Sequence, residues 1–110
     1  PGGLQVQTAQ GNWEDVPHAP DSFVVNLGDL MAEWTNDRWC STMHRVVVPP
    51  ADAVGTTDRY SMAFFHQPNY DAVVECIPSC CSTENPGRYG RTTSGEHVVM
   101  KITKHRQFAA

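Results

Sequence analysis

The pattern that most limits the fold of this chain is a series of short apolar runs, each fenced within a few residues by Gly, Pro, Asn or Asp. Leu4 and Val6 alternate with glutamines, "AQGN" supplies a turn, and Trp13 and Val16 open a return strand, so "GGLQVQTAQGNWEDVP" reads as a hairpin. Phe23 to Leu27 form the next strand, which passes through Gly28 into a short helical turn carrying Leu30, Met31 and Trp34 and ended by Asn36-Asp37. "RWCSTMHRVVV" is a further strand closed by Pro49-Pro50, because proline cannot donate to a ladder. "ADAVGTTD" is a loop, "RYSMAFFHQ" a strand, and "DAVVECI" a short strand or extended segment before a loop dense in Pro, Gly, Ser and Asn.

From Thr93 the period changes. Thr93 as N-cap with Glu96 three residues on makes a capping box, Val98, Val99 and Ile102 form an apolar stripe, and Lys101, Lys104, His105 and Arg106 suit the outer face and the negative C-terminal end. Five or six short strands with one terminal helix predict a mostly β, antiparallel architecture. A jelly roll needs about eight strands, so the count falls short of a complete one.

At 110 residues there is material for one core. The formal charge of −4, with no Lys/Arg cluster before the last ten residues, argues against a nucleic-acid partner. No apolar run approaches the ~20 residues of a spanning helix and no leader pattern is visible, which predicts a cytoplasmic protein without a membrane partner. Cys40, Cys76, Cys80 and Cys81 do not have the spacing of paired zinc knuckles, and His66, His97 and His105 add no metal-ligand spacing, so free thiols are the simpler reading. A small zinc site on Cys76, Cys80, Cys81 and a histidine is the alternative.

Two polar features stand out on apolar strands. Arg59 and Ser61 share one face of their strand, and with apolar neighbours on both faces Arg59 is expected to be buried and to grip a carboxylate through its guanidinium fork. That carboxylate is either a small ligand or a protein acid such as Asp29. His44 shares a face with Cys40, Thr42 and Val46 and is either a core histidine bonded to a backbone carbonyl or a metal ligand.

"GGLQV", "FVVNLGDLMAEWTND", "RWCSTMHRVV", "RYSMAFFHQPNYDAVVECIP" and "TSGEH" resemble, in order and at compatible spacing, the C-terminal part of the non-haem Fe(II)/2-oxoglutarate-dependent dioxygenases of the isopenicillin N synthase-like family. The resemblance covers nearly all of residues 1–110. It implies a double-stranded β-helix (jelly roll), here incomplete, with a C-terminal α-helix. It makes His44 one ligand of a two-His-one-carboxylate iron triad, and Arg59 with Ser61 the pair that positions the distal carboxylate of 2-oxoglutarate without reacting. Asn26, Gly28 and Asp29 match a turn expected to be structural.

The family's His-x-Asp has no counterpart here, since His18 is followed by Ala19, Pro20 and Asp21, and the upstream tyrosine motif for 2-oxoglutarate is also absent. The chain reads as a portion of an oxidoreductase that couples decarboxylation of 2-oxoglutarate to O2-dependent oxidation of a small organic substrate, and that is inactive alone. The other reading is a jelly-roll assembly module that completes its sheet by self-association or by pairing with the missing N-terminal part.

Overall fold

The computed structural model describes residues 2–48, 52, 55 and 58–107. Two compact units make up the chain: Pro1–Asn26 with Thr42–Phe64, and Leu27–Ser41 with Phe65–Ala110. By number of elements the described residues are mostly β, with five short strands and two α-helices. No helix among them is long and apolar enough to cross a membrane.

The first unit is a three-stranded antiparallel sheet. Its strands are β1 (Leu4–Gln7), β2 (Trp13–Asp15) and β3 (His44–Val46), in the order β2-β1-β3. The hairpin falls where the sequence places it: Gly11 takes a φ of +85° and donates its N–H to Thr8 O at 2.9 Å, and Thr8 N bonds Asn12 O at 2.8 Å. That φ is one glycine adopts without steric cost. Register sets Gln5 against both Asp15 and Arg45, and Val6 against both Glu14 and His44. One face is therefore polar: Gln5 Nε2 donates to Asp15 Oδ1 at 2.9 Å, Arg45 Nε donates to Gln5 Oε1 at 2.9 Å, and the Arg45 guanidinium lies 4.2 Å over the Trp13 ring. The other face carries Leu4, Val6, His44 and Val46.

In the second unit, α1 (Asp29–Trp34) follows Gly28, and the chain then turns sharply through Asn36 and Asp37 at φ +53° and +63°. Strands β4 (Val73–Val74) and β5 (Thr92–Thr93) pair antiparallel, a 3-10 turn spans Pro78–Cys80, and α2 runs Ser94–Gln107. Ala32 and Val74 are its buried apolar side chains among the described residues. The capping box forms as read: Glu96 N donates to Thr93 Oγ1 at 3.2 Å, and Thr93 N donates back to Glu96 Oε2 at 3.0 Å. The bond from Thr93 N, with the Thr93 and Thr92 hydroxyls, holds the Glu96 carboxyl below its usual range. Thr93→Ala should cost about 1 kcal/mol, read as a lower urea midpoint at unchanged slope.

Several expectations are corrected. No strand is assigned over Phe23–Leu27 or over Arg59–Gln67, and apart from the half-buried Leu27 these residues are exposed. Alternation in a sequence describes a chain with two faces, but a strand also needs a neighbour to accept its ladder. β3 is shorter than "RWCSTMHRVVV" because it pairs only against Leu4–Val6, with Gln7 N to Met43 O and Val47 N to Gly3 O adding one bond at each end. On α2 the buried face is Ser94, Gly95 and His97, while Val99 and Ile102 are exposed. The helix docks through small and polar residues: Ser94 N donates to Ala72 O and Gly95 N to Tyr70 O, each at 2.9 Å. Expectations on Pro49, Pro50 and most of "ADAVGTTD", and on the side chains of His105 and Arg106, lie outside the described residues.

Candidate functional site

The residues singled out for chemistry, His44, Arg59 and Ser61, all fall in the first unit. β3 places His44 at its first position, opposite Val6, and its imidazole Nδ1 lies 3.2 Å from Thr42 O. A carbonyl oxygen can only accept, so Nδ1 carries the proton of this bond, and in a neutral ring Nε2 then keeps its lone pair. That is the tautomer of a histidine that ligates a metal while its second nitrogen is anchored on backbone. His44 is exposed, so it is not a core histidine, although it does bond a backbone carbonyl.

Glu14 flanks Val6 on the opposite side and shares the face of His44. Two strand spacings separate them by about 10 Å, too far to share an ion whose ligands each stand about 2 Å away. Among the described residues no group of three His, Cys, Asp or Glu side chains is placed to hold a metal. The imidazole of His44 is a donor type that suits Fe(II).

Arg59 is exposed, not buried as expected from its apolar neighbours. The side chains beside it, Tyr60 and Met62, are 89% and 99% exposed, so apolar flanks here mark faces that are open rather than a core. Its Nε donates to Gly2 O at 3.0 Å. Gly3, at φ +107°, lies under the same side chain: a Cβ there would stand 3.7 Å from Arg59 Nε and 3.8 Å from Cδ. The Gly2-Gly3 pair thus seats the arginine stem on the start of β1, a role that the sequence alone does not assign. A signal for it exists, since two glycines directly before a strand mark backbone that needs an unusual φ or a close approach.

Ser61 is exposed two residues beyond Arg59, on backbone with no assigned strand. Asp29, weighed as an alternative partner for Arg59, pairs instead with Lys101, and hydrogen bonds from Lys101 and Ser41 hold its carboxyl below the usual range. Asn26 closes a segment of the first unit, whereas Gly28, the N-cap of α1, and Asp29, its first residue, belong to the second.

The model of the 2OG-Fe(II) oxygenase superfamily matches residues 1–68. A 2-oxoglutarate-dependent dioxygenase of Aspergillus rugulosus is 34% identical over 111 residues, covering 94% of this chain and 34% of the relative. A 2OG-Fe(II) oxygenase family protein from Caulobacter crescentus superposes with a TM-score of 0.84 at 35% identity, over 94% of this chain and 34% of that one. A full-length Neurospora crassa protein in complex with alpha-KG superposes with a TM-score of 0.79 at 36% identity, over 93% and 34%. The chain spans about a third of the length of these relatives.

Proposed function

The chain belongs to the 2OG-Fe(II) oxygenase superfamily, and from that premise we propose that it is the C-terminal portion of an Fe(II)/2-oxoglutarate-dependent dioxygenase acting on a small organic substrate. The observation that supports the reading is His44, exposed and anchored through Nδ1 to Thr42 O, on the same sheet whose first residues seat Arg59. His44 contributes one iron ligand. Arg59 grips the distal carboxylate of 2-oxoglutarate with the rest of its guanidinium fork while Nε stays on Gly2 O, and Ser61 donates a further hydrogen bond.

When bound, Fe(II) with 2-oxoglutarate and O2 supplies the oxidising chemistry, at the expense of the keto acid's first carboxyl group, which leaves as carbon dioxide. The work of this chain's residues is positional. A carboxylate held at fixed distance from the His44 face aligns the keto acid before any bond changes, and the Leu4, Val6 and Val46 side chains around His44 give that face an apolar surround. In the finer reading of the fold, the three-stranded sheet is part of a jelly roll. The stretches Phe23–Val25 and Arg59–Ala63 then lie where further strands of the roll would run, which explains apolar side chains such as Phe23, 96% exposed, on backbone with no assigned strand. The same open edges support self-association when those strands are not supplied. Cytoplasmic residence is part of this reading, in keeping with four free thiols.

Anaerobic titration with Fe(II) and 2-oxoglutarate tests it, on this chain and on a longer polypeptide in which a relative's His-x-Asp segment precedes residue 1. The longer protein should develop the visible charge-transfer band of the iron chelate and His44→Ala should abolish it, while this chain alone binds iron weakly because one imidazole is far from a closed site. A band that survives His44→Ala removes the histidine from the site.

A further inference from the structure

Three of the four cysteines lie together. Cys76, Cys80 and Cys81 gather around the 3-10 turn Pro78–Cys80 in the second unit, all half-buried, whereas Cys40 is exposed on the loop after α1, its Sγ 3.8 Å from Asp37 O. Two of the three converge on a single acceptor. Cys76 Sγ donates to Ile77 O at 3.5 Å, and Cys81 Sγ stands 3.9 Å from the same oxygen and 3.8 Å from Pro78 O.

The backbone that presents them is held from outside the turn. Asn36 Nδ2 and Asn85 Nδ2 reach Cys80 O at 3.4 and 3.5 Å, Ile77 N donates to Trp34 O at 2.8 Å, and the Cys76 Cβ lies against Gly87. Two sulfurs drawn to one carbonyl oxygen by a clamped turn are brought toward the short reach that a disulfide requires.

We propose that Cys76 and Cys81 are a redox-sensitive modification site, a dithiol that a hydroperoxide converts to an intramolecular disulfide. Burial, then the Cys81 thiol, pushes Cys76 up to about 11; either sulfur of the pair can take the first step, here Cys81. The Cys81 thiolate attacks the peroxide, the O–O bond breaks, and Cys81 becomes a sulfenic acid while the other oxygen leaves as water or an alcohol. Cys76 Sγ then attacks the Cys81 sulfur, the S–O bond breaks, and the Cys76 proton leaves with the hydroxyl as water. Two thiols lose two electrons in all and the peroxide gains them. In a reducing compartment such a bond is transient and reports oxidant level rather than stapling the fold.

The reduced protein is treated with a few equivalents of hydrogen peroxide, denatured in N-ethylmaleimide and weighed intact. The expected product has lost about 2 Da of hydrogen and takes up two maleimides, where the untreated chain with its four cysteines takes up four. Cys40→Ser and Cys80→Ser should keep the 2 Da loss, and Cys76→Ser and Cys81→Ser should each abolish it. Uptake of four maleimides after peroxide, accumulation of sulfinic acid in place of the 2 Da loss, or a 2 Da loss that persists in Cys81→Ser overturns the assignment. Cys81→Ser leaves Cys76 against Gly87, so the test stands even where Cys76→Ser fails to fold.

Discussion

Arg59→Ala should raise the 2-oxoglutarate concentration that half-fills the site of the longer, iron-competent polypeptide by about a hundredfold or more, with Fe(II) affinity unchanged. The magnitude follows from the bonds removed. A hydrogen bond to a charged group contributes about 1.5–3 kcal/mol, two are made by a guanidinium fork on one carboxylate, and each 1.4 kcal/mol is tenfold in affinity. Arg59→Lys should recover only about a decade of the loss, because an ammonium offers a point charge in place of the fork. A second keto acid separates clamp from scaffold: pyruvate lacks the distal carboxylate, so its binding should be the same in the original protein and in Arg59→Ala. Equal weakening of both acids would mean that the arginine supports the start of β1 through Gly2 O rather than holding a ligand.

The residues in that prediction show what is legible in the sequence. Motif resemblance singles out His44, Arg59 and Ser61, and the structure sets all three in one unit. Their surroundings are another matter. Apolar neighbours on both faces of "RYSMAFF" predict a buried arginine, yet Arg59 is exposed, because what covers a strand is a nonlocal fact that its own alternation does not contain. The Gly2-Gly3 seat escapes a sequence reading for the same reason: it is a contact across fifty-seven residues.

Local devices are read more faithfully. The Thr93/Glu96 capping box and the "AQGN" turn are closed by residues within four positions of each other, so the chain carries the whole instruction at one place. Helix α2 shows the limit of that logic. The stripe Val98, Val99 and Ile102 is a sound amphipathic pattern, but the helix packs on Ser94, Gly95 and His97, since close approach to the Tyr70 and Ala72 carbonyls needs small residues more than apolar ones. His97 completes that face with Nδ1 at 3.4 Å from Glu33 Oε1 on α1, a polar contact that a search for apolar periodicity does not register.

The largest stability effect should come from a residue with no part in the chemistry. Asn36 is 4% exposed and joins the end of α1 to the cysteine loop through three bonds. Its Nδ2 donates to Cys80 O at 3.4 Å and Pro86 O at 3.2 Å, and its Oδ1 accepts from Arg88 N at 2.9 Å. It also holds a φ of +53°, a conformation asparagine tolerates better than most side chains. Asn36→Ala removes these bonds, leaves Arg88 N without its acceptor, and adds the left-handed penalty of roughly 1 kcal/mol. At about 1 kcal/mol for each of the three net hydrogen bonds, together with the backbone penalty, the total is about 4 kcal/mol. A chain with so small a buried apolar set, Ala32 and Val74 among the described residues, has little to offset such a loss. Asn36→Gly separates the two contributions, because it relieves the backbone while still deleting the amide. It should recover about 1 kcal/mol relative to alanine, read from urea midpoints at a common slope. If glycine restores the original midpoint, the turn conformation alone limits stability and the three amide bonds add nothing net.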